Sequence, residues 1–146
     1  MRITNRRAPY EYQLLDKTEA GISLQGSEVK SIKTGRADFS NSFVRIREKE
    51  AYLLNMNIPP YQGGTPEGYN PTRSRKLLLN KQEIVRLETK AKQQKLTIVP
   101  TKLYTKGRLV KVEIALARPK RKFEKREAKR RKDVEREIEQ ELKSRG

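Results

Sequence analysis

Apolar positions in this chain recur at two spacings. From residue 109 the order Leu-Val-Lys-Val-Glu-Ile-Ala-Leu-Ala alternates apolar with polar or small residues, the period of a half-buried strand. Shorter runs of the same kind lie at residues 10–16, 21–25, 42–47, 51–56 and 96–104, and together they predict an antiparallel sheet of mostly short strands. Lys106-Gly107-Arg108 places a residue tolerant of positive φ between the last two runs, so residues 96–117 are expected to form a hairpin. The helical period occurs twice. After Gly26, Ser27 can cap a helix whose Val29 and Ile32 fall on one face, and Gly35 would end it. Asn80 can cap a second, with Glu83 three residues on and Ile84 and Leu87 following, to about Gln93.

Between them, residues 59–75 carry Pro59, Pro60, Pro66, Pro71, Gly63, Gly64 and Gly68, a composition that predicts a long surface loop. Many short strands with two short helices suit a mainly β fold, a small closed antiparallel barrel of the oligonucleotide-binding (OB) kind. A split sheet with helices on one face fits the same pattern. The last segment is different: its large apolar residues are Phe123, Val134, Ile138 and Leu142, and the last three form one narrow i, i+4 stripe. So narrow a stripe cannot hold a lone helix in water. Residues 118–146 are therefore expected to be a tail, disordered when free and helical when bound, behind a domain of residues 1–117.

Charge sharpens this division. Of 146 residues 34% are hydrophobic and 36% charged, and 35 Lys and Arg against 18 Asp and Glu leave a net +17. Residues 1–117 hold 22 basic and 11 acidic groups, whereas 118–132 alone hold 10 and 2. Such an excess repels itself unless a polyanion neutralises it, which points to nucleic acid or an anionic membrane surface. Without Cys or His the chain has no thiol nucleophile, cysteine-based zinc or iron–sulfur site, or imidazole base. Its longest apolar runs, such as Leu77-Leu78-Leu79, fall far short of the ~20 residues that cross a bilayer. No apolar stretch follows the N-terminal arginines as a signal peptide requires, so the expected address is the cytoplasm.

The candidate chemistry is that of binding. Gly21 and Gly26 have the spacing of a phosphate loop, but Ser27 stands where that loop needs Lys, and a strand turning into a capped helix explains both glycines. Glu28 reads as a first-turn acid favoured by the helix dipole, and Glu19 as a turn residue near Arg or Lys. Three basic clusters, at Asn5-Arg6-Arg7, at Arg73-Ser74-Arg75-Lys76 and at 118–132, can converge on one polyanion, which charge alone does not identify as RNA or DNA. Tyr10, Tyr12, Tyr61, Tyr69, Tyr104 and Phe123 are able to stack on bases; those in strands suit a core, leaving Tyr61, Tyr69 and Phe123 as the exposed candidates. The tail also fits a nuclear-localisation patch or a lipid anchor, although its apolar face is narrow for lipid. Acids are too scattered before the tail for a metal-dependent nuclease, so no metal, cofactor or catalytic residue is expected.

Asn5-Arg-Arg-Ala8, Glu19-Ala-Gly21, Gly26-Ser-Glu-Val-Lys-Ser31, Gly35, Arg75-Lys-Leu-Leu-Leu-Asn80, Glu83-Ile84 and Lys125-Arg126 occur in an order that resembles the SmpB family, the SsrA-binding proteins of bacteria. The resemblance covers nearly all residues from Asn5 to about Glu137. It implies an adaptor of trans-translation, or ribosome rescue. Such an adaptor grips the tRNA-like domain of transfer-messenger RNA, delivers it to stalled ribosomes, and lays its tail along the empty mRNA channel to the small-subunit decoding centre. It implies a monomer in the RNA complex, no membrane partner and no cofactor. By motif it assigns RNA contacts to Asn5, Glu19, Leu78 and Asn80, with Arg6, Arg7 and Lys81 on phosphates, while Leu78 suits the core equally well. Lys120, Arg121, Phe123, Glu124, Lys125 and Arg126 match the tail residues that the family uses on the ribosome. The family's usual glycine before the paired lysines is Pro119 here, which stiffens the hinge and can open the bound helix. The alternative is a ribosomal or ribosome-assembly protein bound to ribosomal RNA.

Overall fold

A computed structural model describes residues 1–120 and 122–145. In chain order it contains β1 (Arg2–Thr4), α1 (Ala8–Glu11), β2 (Tyr12–Ile22), α2 (Gly26–Lys33), β3 (Phe43–Arg47), β4 (Glu50–Leu54), β5 (Arg75–Leu78), α3 (Lys81–Gln94), β6 (Thr97–Lys106), β7 (Leu109–Pro119) and α4 (Lys122–Arg145). Strands β6, β3, β4, β5, β2 and β7 are neighbours in that order, and β7 pairs back onto β6, so the antiparallel sheet closes into a six-stranded ring. Closure removes the sheet edges that would otherwise invite further pairing. Strand β1 adds to the far end of β6, and the β3–β6 seam is held at Val44 opposite Ile98.

Alternation along each strand fills the ring. Ala20, Ile22, Val44, Ala51, Leu53, Leu77, Leu103, Val112, Ile114 and Leu116 are buried in one cluster, capped by Ile32 of α2 and Leu87 of α3. The 96–117 hairpin is present, turning at Gly107 with φ +63°. Pro100 sits inside β6 without an N–H to donate, and the pairing with β7 shifts between Pro100 and Lys102. This irregularity turns two carbonyls toward the chain after β1: Asn5 N donates to Thr101 O (2.8 Å) and Asn5 Nδ2 to Pro100 O (2.7 Å).

Several local expectations change. Residues 10–16 and 21–25 are not two strands but belong largely to one, the long β2, which absorbs an irregularity between Leu14 and Lys17. Strands β1 and β5 and the one-turn α1 are additional. Helix α2 is capped at Gln25 rather than Ser27, Gln25 N–H donating to Glu28 Oε1 (2.8 Å), and Ser27 Oγ is buried without a partner among the described residues. Asn80 caps α3 as expected, accepting from Glu83 N–H (2.8 Å). Pro119 closes β7 opposite Tyr12, and Lys120 continues the contact by donating its N–H to Glu11 O (3.0 Å) and its Nζ to Pro9 O (2.8 Å). Beyond it lies a helix, with every described side chain from Lys129 to Gln140 exposed.

The 59–74 loop is not free. Glu28 and Arg75 are both fully buried, with Arg75 Nε donating to Glu28 Oε2 (2.7 Å), while Arg73 pairs with both carboxylate oxygens. The remaining four N–H groups of Arg75 reach Met56 O (2.7 Å), Arg73 O (3.2 Å), Pro71 O (2.9 Å) and the Tyr69 hydroxyl (3.2 Å). Tyr69 donates to Ile58 O (2.8 Å), and Ser31 Oγ donates to Pro59 O (2.7 Å). Burial alone would raise the Glu28 pKa, but hydrogen bonds from Arg73, the Gln25 N–H and Arg75 outweigh it and hold the carboxyl below its ordinary value. Leaving one partner of a buried ion pair without the other costs about 3–5 kcal/mol.

Glu28→Gln is therefore expected to lower unfolding free energy in urea by about that amount, and Tyr69→Phe by about 1 kcal/mol. Because the folded Glu28 pKa lies below the ordinary 4.5, its contribution is complete above pH 4.5 and disappears as pH falls through the folded value. Urea titrations at stepped acidic pH should show this loss in the native chain and not in Glu28→Gln.

Candidate nucleic-acid interface

With Leu103, Val110, Val112, Ala20 and Leu77 pointing inward, their strand neighbours face out. Pairing aligns those neighbours into one lateral row across five strands: Arg2 on β1, Tyr104 on β6, Lys111 on β7, Gly21 on β2 and Leu78 on β5. A second row two residues along reads Thr4, Lys102, Glu113, Glu19, and a third begins with Lys106 and Leu109. The face thus combines cations, one aromatic ring and two exposed leucines, Leu78 (57% exposed) and Leu109 (61%).

Gly21 makes the shelf possible. A Cβ at this position would lie 3.1 Å from Leu78 Cβ, so the absent side chain lets Leu78 lie across β2. Leu78, Leu109, Arg108 and Lys111 border a shallow 180 Å³ depression there. In the neighbouring row Glu19 and Glu113 stand directly opposite each other, a repulsive pairing that their partners offset. Tyr104 donates its hydroxyl to Glu19 Oε2, and Lys106 Nζ lies 3.3 Å from Oε1. Glu113 accepts from the Thr101 hydroxyl and lies 3.8 Å from Lys102 Nζ. The Tyr104 hydrogen bond, helped by Lys106 and Lys111, holds the Glu19 carboxyl below its ordinary range. Desolvation and the Glu19 carboxylate in turn push the Tyr104 hydroxyl up to about 12. Chemically, this is a carboxylate with acceptor capacity, a ring and an apolar shelf among positive charges, a set able to hydrogen-bond base edges or ribose hydroxyls and fix phosphates.

The structure distributes the residues singled out in the sequence unevenly. Glu19 and Leu78 share this face, and the exposure of Leu78 decides against a core role. Asn5 lies just beyond Thr4 at the face's edge, with one amide N–H engaged by Pro100. Arg6 and Arg7 are exposed at the start of α1, where Arg7 also borders a 380 Å³ cleft with Asn5, Glu11 and Phe39. Asn80 is the α3 cap and Lys81 is exposed in the first helical turn. Arg73 and Arg75 do not join a polyanion surface, because Glu28 holds them, and Tyr69 is a structural hydrogen-bonding residue rather than an exposed stacking ring. Tyr61 is half-buried under Lys30, 5.7 Å from its ring centroid. Lys120 is anchored to α1; Arg121 lies outside the described residues, and Phe123, Glu124, Lys125 and Arg126 fall in α4 at positions whose side chains are not described.

Sequence reasoning placed Tyr104 with the core and overlooked Arg2, Lys102, Lys106 and Lys111. The hairpin's alternation carries the missing signal: once Val110 and Val112 are inward, Lys111 and its partner Tyr104 must be outward. Among the described residues no acid cluster suited to a metal occurs, and no helix is long and apolar enough to cross a membrane.

Comparison with known proteins places this geometry among relatives. The family described as SmpB protein matches residues 2–144. The SsrA-binding protein of Sulfurihydrogenibium sp. (strain YO3AOP1) is 51% identical over 140 residues, covering 96% of this chain and 92% of that protein. The SsrA-binding protein of Carboxydothermus hydrogenoformans is 48% identical over 141 residues, covering 97% and 95%. A chain in a solved structure described as "tmRNA-SmpB: a journey to the center of the bacterial ribosome" superposes with a TM-score of 0.72 at 46% identity, covering 89% of this chain and 95% of that one.

Spectrophotometric titration should find one tyrosine that ionises only near pH 12 in the native chain, and Glu19→Gln should move that titration toward 10. Since the folded pKa of Tyr104 is the higher one, its stabilising contribution is full below pH 10 and disappears as pH rises toward 12.

Proposed function

The chain belongs to the SmpB family, and on that footing we propose that it is a non-enzymatic RNA-binding adaptor that takes the tRNA-like domain of transfer-messenger RNA to stalled ribosomes. The observation that carries this reading to particular residues is the row Arg2–Tyr104–Lys111–Gly21–Leu78 beside the Glu19 node. Cations there fix register on phosphates, Glu19 accepts hydrogen bonds from base or ribose donors, and Leu78 packs against an unstacked base. Asn5, Arg6, Arg7, Asn80 and Lys81 extend the contact from the edges of the same barrel. A role on the ribosome places the protein in the cytoplasm.

Division of labour follows from the two parts of the chain. Residues 1–117 hold the RNA, and residues 118–146 enter the empty mRNA channel, where Lys120, Arg121, Phe123, Glu124, Lys125 and Arg126 meet the decoding centre. Exposure of α4 from Lys129 to Gln140 supports a segment that needs a partner to cover its Val134 and Ile138 stripe. Ribosomal RNA enters this reading as a second partner rather than as the permanent home of a ribosomal protein.

Leu78→Asp is expected to weaken binding to a tRNA-like-domain fragment about tenfold with the melting temperature almost unmoved, since the side chain is exposed. Lys106→Ala with Lys111→Ala should reduce the slope of log K against log salt by about 0.7 for each lysine that contacts a phosphate. Equal affinity and slope in all variants would place the RNA elsewhere. A chain ending at Lys120 keeps every β7 pairing, so it should retain fragment binding while losing peptide tagging on stalled ribosomes.

A further inference from the structure

Two surfaces of this chain are each incomplete alone and match one another. One is the second half of α4. Residues 133–140 carry Asp133, Glu135, Glu137 and Glu139 against a single Arg136, whereas residues 122–132 carry seven basic groups and two acidic ones. Successive helical residues are turned by about 100°, so Val134 and Ile138 form one apolar stripe, Glu135 and Glu137 flank it on either side, and Arg136 lies on the back. Val134 (48% exposed) and Ile138 (51%) are uncovered. Asp133, Glu135 and Glu137 form no ion pair among the described residues.

The other is the outer face of β1–β6–β7–β2–β5, where Leu78 and Leu109 make an apolar shelf beside Arg108 and Lys111. Its own carboxylates are already engaged, Glu19 by Tyr104 and Lys106 and Glu113 by Thr101 and Lys102. Arg2, Arg108 and Lys111 form no ion pair among the described residues. The two surfaces also match in reach. Helix α4 has 24 residues and β7 has 11, so at about 1.5 and 3.3 Å per residue each is about 36 Å long. Lys120, at the end of β7, is tied to Pro9 and Glu11, which fixes the point from which the helix departs. A helix turning back there would run antiparallel to β7 and bring its acidic second half to the end of the strand that holds Lys111 and Leu109.

We propose that in the RNA-free protein the second half of α4 docks on this face as an internal substitute for RNA. Val134 and Ile138 then lie on the Leu78–Leu109 shelf, with Glu135 and Glu137 toward Lys111 and Arg108. The inference rests on the preceding reading of the face as the RNA-contact surface. Its occupant is this chain's own helix, because acids flanking an apolar stripe complement cations flanking an apolar shelf. The exposed α4 is the released arrangement. RNA that binds the face displaces the helix, so the tail is freed only on a loaded protein, and weakly held polyanions are kept off. A helix docked in about nine of ten molecules lowers RNA affinity about tenfold.

Val134→Ser with Ile138→Ser removes the stripe from the full chain without changing its charge. Affinity for the tRNA-like-domain fragment at low salt is expected to rise about threefold to tenfold over the native chain. Backbone amide shifts of the RNA-free protein give a second readout. Leu78, Leu109 and Lys111 should differ between the native chain and this variant, and should move the same way in Glu135→Gln with Glu137→Gln. Unchanged affinity in a chain that binds the fragment, or unchanged shifts at those three residues, would show a solvated helix and overturn the proposal. Shift differences that vanish on dilution would put the helix on a second copy's barrel, which overturns it as well. If the native chain and both variants all fail to bind the fragment, the functional reading falls, and the shifts of the RNA-free protein still decide whether α4 docks.

Discussion

One buried carboxylate ties α2, β5 and the proline-rich loop together. Glu28 reaches from α2 into the interior and takes Arg75 from the first residue of β5 and Arg73 from the loop before it. Two buried charges are tolerated because each is met in full: all five N–H groups of Arg75 find acceptors, four of them outside the carboxylate. Met56, Tyr69, Pro71 and Arg73 contribute those acceptors, so the same cluster folds the proline-rich loop down against the barrel. Fixing Arg75 fixes the register of β5 against β4 and β2. That register sets Leu78 beside Gly21 and starts α3 at Asn80.

The protein's positive charge is thereby divided by environment. Arg75 is held inside and Arg73 at the edge of the same cluster by the single Glu28 carboxylate, while Lys90 is tied to Asp16 at 2.5 Å on the surface. Arg2, Lys102, Lys106, Arg108 and Lys111 remain on the outer face, where two glutamates and a tyrosine hold part of the field in a fixed pattern. Charge alone would attract any polyanion. The Glu19–Tyr104–Lys106 node gives that attraction a direction, because a carboxylate among cations accepts donors and repels phosphate at one defined place.

Periodicity made the hairpin, the closed-barrel class and α3 legible, because each rests on local patterns that tertiary contacts reinforce. Asn80 and Gly107 were readable for the same reason: a cap and a positive-φ turn are local requirements. Strand β5 was hidden because its inward positions are Arg75 and Leu77, and a charged residue in a core position breaks apolar alternation. Strand β1 has only three residues, and its anchor is the irregularity at Pro100, roughly a hundred positions away. Glu28 was legible as a first-turn acid of α2 but not as the anchor of Arg73, Arg75 and Tyr69, since no local pattern links residues 41 apart that meet only through the folded cluster. For the candidate face, family motifs supplied Glu19 and Leu78, whereas Tyr104 and Lys111 needed strand parity and register.

The central claim is that RNA lies across β1–β6–β7–β2–β5 in the register set by that buried cluster. Backbone amide chemical shifts, followed as the tRNA-like-domain fragment is added to the full chain, test it most directly. The account predicts the largest changes at Arg2, Glu19, Gly21, Leu78, Tyr104 and Lys111, with the 59–74 loop nearly unaffected. Changes centred on that loop or on α2, with this row silent, would contradict it.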